Sequence, residues 1–321
     1  ITGNPRFDLS RKEYNKFFQH FNSNKNYVLL ICAFGTANNI IPVEIENSYY
    51  MNSKLQGASR SRQSLSLGAA YQKKLLKKYL IGLENLIIKY PNENFVIRCH
   101  PLENKEIYIN KFANYSNVLV DTSGPIQEWL QGCKLLIHNG CTTSIEGFFH
   151  GLEPICFTPY YDEDHIQYLT YEISDKANNE KELLDIFEKK IQHGYEWSQD
   201  DIKAKKKLLR KIIYNVDKEN NFSSRYIAQE IENLDVEYSD IIDFKTRLFK
   251  STVQKLRDMK VYLNLQKYLI MKKINAPFKI GIKGLEYCNL KNRIKYLSEE
   301  MKIKEKIKIK EIKAGIYKIF I

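Results

Sequence analysis

Between Tyr27 and Phe157 the chain alternates short apolar runs with longer amphipathic stretches, and this alternation limits the fold more than any other feature. The runs are YVLLICAF (27–34), FVIRC (95–99), NVLVD (117–121), LLI (135–137) and PICF (154–157). A strand with one wet face alternates polar and apolar residues, whereas a nearly continuous apolar run belongs to a strand covered on both faces. Between the first two runs Leu75, Leu76, Leu80, Leu83, Leu86 and Ile87 recur at helical spacing and give a single inward stripe. Strands alternating with helices predict an α/β fold, a doubly wound parallel sheet with helices on both faces.

Such sheets bind ligands beyond the carboxyl ends of their strands. The unusual polar residues fall at those ends: Gly35 to Asn39, His100-Pro101, Ser123-Gly124 and Asn139 to Ser144. The stretch HNGCTTSIEGFFHG (138–151) leaves a buried run through small and hydroxyl residues and resumes an apolar pattern at Ile145. A helix is expected to begin there, where free amide groups and the positive end of the helix dipole favour an anion. Thr142, Thr143 and Ser144 supply three consecutive hydroxyls, more than a helix cap needs, although one of them could serve as the cap alone. His100 follows Arg98 at a strand end, with Pro101 fixing the turn. An imidazole in that position either donates to a phosphate or acts as an acid toward a leaving group, and its bland alternative is a hydrogen bond within the turn. Gly35 and Thr36, at the first strand's end, are expected to complete a phosphate seat, while Glu146 and Asn139 are candidates for contacts to a ribose or nucleoside. Glu146 would also suit the first turn of its own helix with no ligand at all.

The net charge of +12 is unevenly spread. Residues 241–321 carry 21 Lys+Arg against 7 Asp+Glu, or +14, while residues 1–240 carry 29 against 31, or −2. The reading is therefore of two parts, a parallel-sheet domain over residues 1–235 and a basic, mainly helical appendage over 236–321. Leu248, Phe249, Val253, Leu256 and Met259 have helical spacing, and Lys302 to Lys310 alternates with period two. Six scattered cysteines (Cys32, Cys99, Cys133, Cys141, Cys156 and Cys288) form no C-x-x-C pair and read as reduced thiols of a cytoplasmic protein. No metal site is expected, since the histidines lack ligand spacing. The chain opens on Ile1 in ITGNPRFD, which reads as the interior of a longer protein.

ITGNPRFD, the strand ending in His100-Pro101, and HNGCTTSIEGFFHGLEPICF together resemble the C-terminal half of bacterial surface-polysaccharide glycosyltransferases of the two-domain GT-B layout. The HP element followed by a Ser/Thr pair is also similar to transferases that use CMP-activated Kdo or sialic acid. The resemblance covers about residues 1–235 and implies that His100, Thr143 and Ser144, with Thr142 beside them, hold the donor phosphate. It implies no cofactor, a nucleotide sugar and a glycan or lipid-linked acceptor as partners, and a catalytic base in an N-terminal acceptor domain outside this chain. The E-x7-E signature of many retaining members is missing, because Glu146 and Glu153 are one residue too close. UDP-N-acetylglucosamine 2-epimerases share the GNP opening and the HP element, and Ser123 to Glu128 (SGPIQE) partly echoes their phosphate turn. The basic tail suggests a third role, attachment to an anionic membrane surface at the inner face of the cell membrane. Nucleic acid is the weaker partner for it, since no aromatic-interleaved basic platform accompanies the charge.

Overall fold

A computed structural model describes residues 4–11, 26–40, 62–213, 222–232, 308–313 and 316–320. Contacts divide the chain into two units, residues 1–249 and 250–321.

The first unit is built on a six-stranded parallel sheet: β1 (Tyr27–Cys32), β2 (Phe95–Cys99), β3 (Val118–Val120), β4 (Cys133–His138), β5 (Ile155–Phe157) and β6 (Asp175–Ala177). Their order across the sheet is β3-β2-β1-β4-β5-β6, the doubly wound arrangement that reverses between β1 and β4. Five of these strands coincide with the five apolar runs. Every residue of β1 is buried, because the two faces of this central strand meet different layers. Val28, Leu30 and Cys32 join one core with the long helix α1 (Arg62–Lys89), while Tyr27, Leu29 and Ile31 join another with Trp129 and Leu130. The sixth strand, β6, has no counterpart among the apolar runs. It is a three-residue edge strand carrying Asp175 and Lys176, with no second buried face to demand an apolar run.

On α1 the inward stripe holds Leu75, Tyr79, Leu83, Leu86 and Ile87. Tyr79 donates its hydroxyl to the Ile31 carbonyl at 3.0 Å, and at Gly82 a Cβ would lie 2.4 Å from the Phe157 ring. The helix therefore packs against the sheet at a distance that only glycine permits there. The remaining helices are α2 (Glu106–Phe112), α3 (Ile126–Gly132), α4 (Thr143–His150), α5 (Tyr168–Glu172), α6 (Glu180–Ile191), α7 (Gln199–Arg210) and α8 (Ser223–Glu232).

The opening motif forms a 3-10 turn over Pro5–Ser10, started by the Asn4 side chain, which accepts from the Arg6 amide at 3.0 Å. Phe7 packs in a third core with Ile145, Phe148, Ile173 and Trp197. Asp8 accepts the Ser223 and Ser224 amides at 3.1 and 2.8 Å, which ties the opening turn to the start of α8.

In the second unit, β7 (Lys308–Lys313) and β8 (Ile316–Phe320) form an antiparallel hairpin in which Lys310 pairs with Lys318. The period-two expectation reaches this hairpin at residues 308–310. The helical expectation at Leu248 to Met259 lies outside the described residues. No helix among the described residues is long and apolar enough to cross a membrane.

Candidate functional site

At the carboxyl ends of β1 and β2 lies a cleft of about 230 Å³, lined by Ala33, Gly35, Thr36, Asn39, Gln72, His100 and Leu102. It stands beside the β1–β4 reversal, the position at which doubly wound sheets take ligands. Gly35, Thr36 and His100, expected as phosphate contacts, meet here. Thr36 donates its hydroxyl to Gln72 of α1. His100 Nδ1 accepts the Leu102 amide at 3.2 Å, so the proton of the neutral ring sits on Nε2. Burial, and then the charge of Arg6, hold the His100 pKa below the usual histidine range. At neutral pH His100 is thus a neutral N–H donor.

Sequence reasoning missed the residue that builds this cleft. Glu103 is 2% exposed, and its Oε1 accepts the Phe34 amide at 2.7 Å and the His100 amide at 3.2 Å. Its Oε2 accepts the Tyr108 hydroxyl at 2.5 Å. One carboxylate thereby joins the exits of β1 and β2. Burial raises its pKa, and the bonds from Tyr108, Phe34 and His100 oppose that rise. An acidic residue three positions beyond a strand-ending His-Pro is the signal that could have found it.

The second expected cluster lies one strand away. Asn139 accepts the Ala33 amide at 2.9 Å and donates to the Ala33 carbonyl at 3.4 Å, so its amide clamps the β1 exit to the β4 exit. His138 is fully buried. Its Nδ1 accepts the Gly140 and Cys141 amides at 3.0 and 3.2 Å, and its Nε2 meets the Ser174 hydroxyl at 2.9 Å. Ser174 in turn donates to the Thr170 carbonyl at 2.7 Å, so Nε2 carries the proton. Burial pushes the His138 pKa down to about 3. Gly140 takes φ +96°, which closes the turn back onto that imidazole.

Of the three hydroxyl residues, only Thr142 is exposed, and its side chain makes no capping bond. Thr143 is buried with its hydroxyl 3.3 Å from the Cys141 thiol. Ser144 is buried too and donates to the Cys141 carbonyl at 2.9 Å. Glu146 is 1% exposed and forms a two-point ion pair with Arg6, at 3.1 Å to Nε and 3.3 Å to Nη2. Burial raises the Glu146 pKa and Arg6 partly offsets the rise. The fold therefore gathers His100, Gly35 and Thr36 in one cleft, sets the β4 turn beside it through Asn139, and brings Arg6 to Glu146 across 140 residues of sequence.

No family model matches the chain, and no curated protein sequence does. Among solved structures it is similar to the UDP-GlcNAc 2-epimerase of Neisseria meningitidis bound to UDP-GlcNAc, at 13% identity over 73% of this chain and 54% of that one, with a TM-score of 0.36. It is also similar to the wall teichoic acid polymerase TagF, at 16% identity over 72% of this chain and 50% of that one, TM-score 0.41. A third is KpsC of Thermosulfurimonas dismutans, a beta Kdo 2,4 transferase, at 13% identity over 55% of this chain and 50% of that one, TM-score 0.28. The chain spans about half the length of these structures.

Proposed function

We propose that this chain binds the nucleotide-sugar donor of a glycosyltransferase in bacterial surface-polysaccharide (capsule or lipopolysaccharide) assembly, with a CMP-activated sugar as the first candidate. The observation that carries this reading is the cleft at the β1 and β2 exits, where a neutral imidazole N–H, the Gly35–Thr36 turn and the Thr36 hydroxyl come together at the ligand end of a doubly wound sheet. A neutral N–H donor of this kind suits a phosphate that must be released after each turnover. The resemblance of ITGNPRFD, the HP element and HNGCTTSIEGFFHG to the surface-polysaccharide transferases supports the same donor class. In this reading His100 donates its neutral N–H to the phosphate, Thr142 adds a hydroxyl from the neighbouring turn, and the acceptor is a glycan, free or lipid-linked. No catalytic base is assigned.

An epimerase-like reading on UDP-N-acetylglucosamine is the second. It is favoured by Gln127, which belongs to the SGPIQE element and whose amide reaches to 3.5 Å from Glu146. Titration of CMP, UDP and GDP against the full chain tests both. Saturable binding of CMP that His100→Ala weakens supports the first reading, and selective UDP binding supports the second. Binding of none of the three would overturn both.

A further inference from the structure

The cleft lining contains no cationic side chain. A phosphate-bearing donor brings at least one full negative charge, and neutral donors alone leave it uncompensated. Arg6 is the cation placed to answer it. Its guanidinium is fixed at two points by the buried Glu146 carboxylate through Nε and Nη2, while its side chain remains 55% exposed. Nη1 makes no hydrogen bond to any described residue, so its donors remain for another group. Glu146 lies in the first turn of α4, directly after the β4 turn that Asn139 ties to Ala33 at the cleft. The charge of Arg6 is also felt on both sides of this edge, lowering the pKa of His100 and itself interacting with Cys141.

We propose that Arg6 is the cationic ligand of the donor phosphate, and that Glu146 is a positioning residue that holds it rather than a ribose contact. This rests on the donor-binding reading and adds to it the source of the counter-charge. Planar guanidinium suits phosphate because two parallel N–H groups meet two oxygens, and the Nε/Nη2 edge held by Glu146 leaves the opposite end of the fork free. The arrangement also explains why an exposed arginine is anchored on a carboxylate that is almost fully buried. The anchor fixes the guanidinium before the ligand arrives.

The test is titration of CMP and of cytidine against the full chain as wild type, Arg6→Lys, Arg6→Gln and the double variant Arg6→Gln/Glu146→Gln. The double variant removes the carboxylate that Arg6→Gln alone would leave buried without its partner, so it keeps the measurement possible if the single variant does not fold. The expected result is a loss of CMP affinity of at least tenfold in both Gln variants and a smaller loss in Arg6→Lys. Cytidine affinity should be unchanged, and CMP binding should depend less on salt once the charge is gone. CMP affinity in the folded double variant equal to wild type, or an equal loss for cytidine, would overturn the assignment. A wild-type chain that binds neither CMP nor UDP would instead overturn the donor-binding reading beneath it.

Discussion

Asn139 on the β4 exit and Ala33 on the β1 exit exchange two hydrogen bonds, the Asn139 carbonyl oxygen taking the Ala33 amide at 2.9 Å and its NH2 giving to the Ala33 carbonyl at 3.4 Å. The side chain thus imitates one more rung of the parallel ladder, just past the last paired residues Ile31 and His138. Asn139→Ala leaves both backbone groups of Ala33 without that partner and is expected to cost about 1–3 kcal/mol of stability. Asn139→Asp keeps the acceptor but loses the donor and should cost less. Urea denaturation of the two variants checks the order. If Asn139 serves a nucleoside instead, stability holds and nucleotide affinity falls.

Glu103 joins the other pair of exits. Glu103→Gln replaces one carboxylate oxygen by NH2, which cannot accept from an amide or a hydroxyl, so at least one of the three donors loses its partner. A stability loss of about 1–3 kcal/mol is expected, together with weaker nucleotide binding, because the Phe34 and His100 backbones shape the cleft. Tyr108→Phe is the control. It removes only the bond to Oε2 and should lower stability while leaving nucleotide affinity at the wild-type value. A loss of affinity equal in both variants would show that Glu103 supports the whole domain rather than the cleft.

The strands were legible because burial on both faces writes itself into consecutive residues, and the polar strand ends were legible by contrast with those runs. Partnerships were not. Arg6 and Glu146 stand 140 positions apart, and each alone has a bland local explanation, the one a surface arginine and the other an acid in a first helical turn. By sequence alone Asn139 and Ser144 read as ligand contacts, because polar residues at such ends have that role in general. Only the three-dimensional arrangement shows what each already touches, the Ala33 backbone for one and the Cys141 carbonyl for the other. β6 escaped because it is an edge strand of three residues, two of them charged, and so presents no apolar run.

Within the hydroxyl run the geometry separates two kinds of variant. Ser144→Ala removes a buried hydroxyl that already donates to Cys141, so about 1 kcal/mol of stability should be lost with nucleotide affinity intact. Thr142→Ala removes an exposed hydroxyl, so stability should stay within about 0.5 kcal/mol. If that hydroxyl meets the donor phosphate, affinity falls by about 1.5–3 kcal/mol, as for a bond to a charged group. Calorimetric titration with CMP beside a thermal melt reads both quantities. The opposite pattern would place Ser144 at the ligand and Thr142 outside it.

Stability should also depend on acid through His138. Its pKa of about 3 in the folded protein lies below the ordinary histidine value of about 6.5 in the unfolded chain. Between those values the unfolded chain binds a proton that the native imidazole, facing two amides and the Ser174 hydroxyl, does not accept. The stabilisation is complete above about pH 6.5 and declines as pH falls, by up to about 1.4 kcal/mol per unit. Asn in this place keeps an acceptor near the Nδ1 position but has no titrating ring. His138→Asn should be less stable than wild type at neutral pH, and the gap should narrow as pH falls toward 4. Urea denaturation of both proteins over that range checks it, and a gap that stays constant would mean that His138 titrates alike in the native and unfolded states.

The last prediction concerns the basic tail and follows from where the charge lies. Residues 1–240 are close to neutral at −2 and residues 241–321 carry +14, so any electrostatic attachment should map to the second part. Each Lys or Arg near an anionic bilayer contributes about 1 kcal/mol, and on the order of ten together exceed the cost of holding a protein of this size at the surface. Screening acts over about 8–10 Å near physiological ionic strength, so attachment of this kind weakens steeply as salt rises. Apolar residues such as Leu248, Phe249, Leu256 and Met259 add a component that salt does not reverse if they insert. The full chain should co-sediment with vesicles rich in phosphatidylserine at low salt, be released at high salt, and ignore vesicles of phosphatidylcholine. A chain ending at residue 240 should not sediment with either. Sedimentation of the shortened chain equal to that of the full chain would move the attachment to the sheet unit. Preference of the full chain for a polynucleotide over vesicles at the same salt would give the tail a nucleic-acid partner.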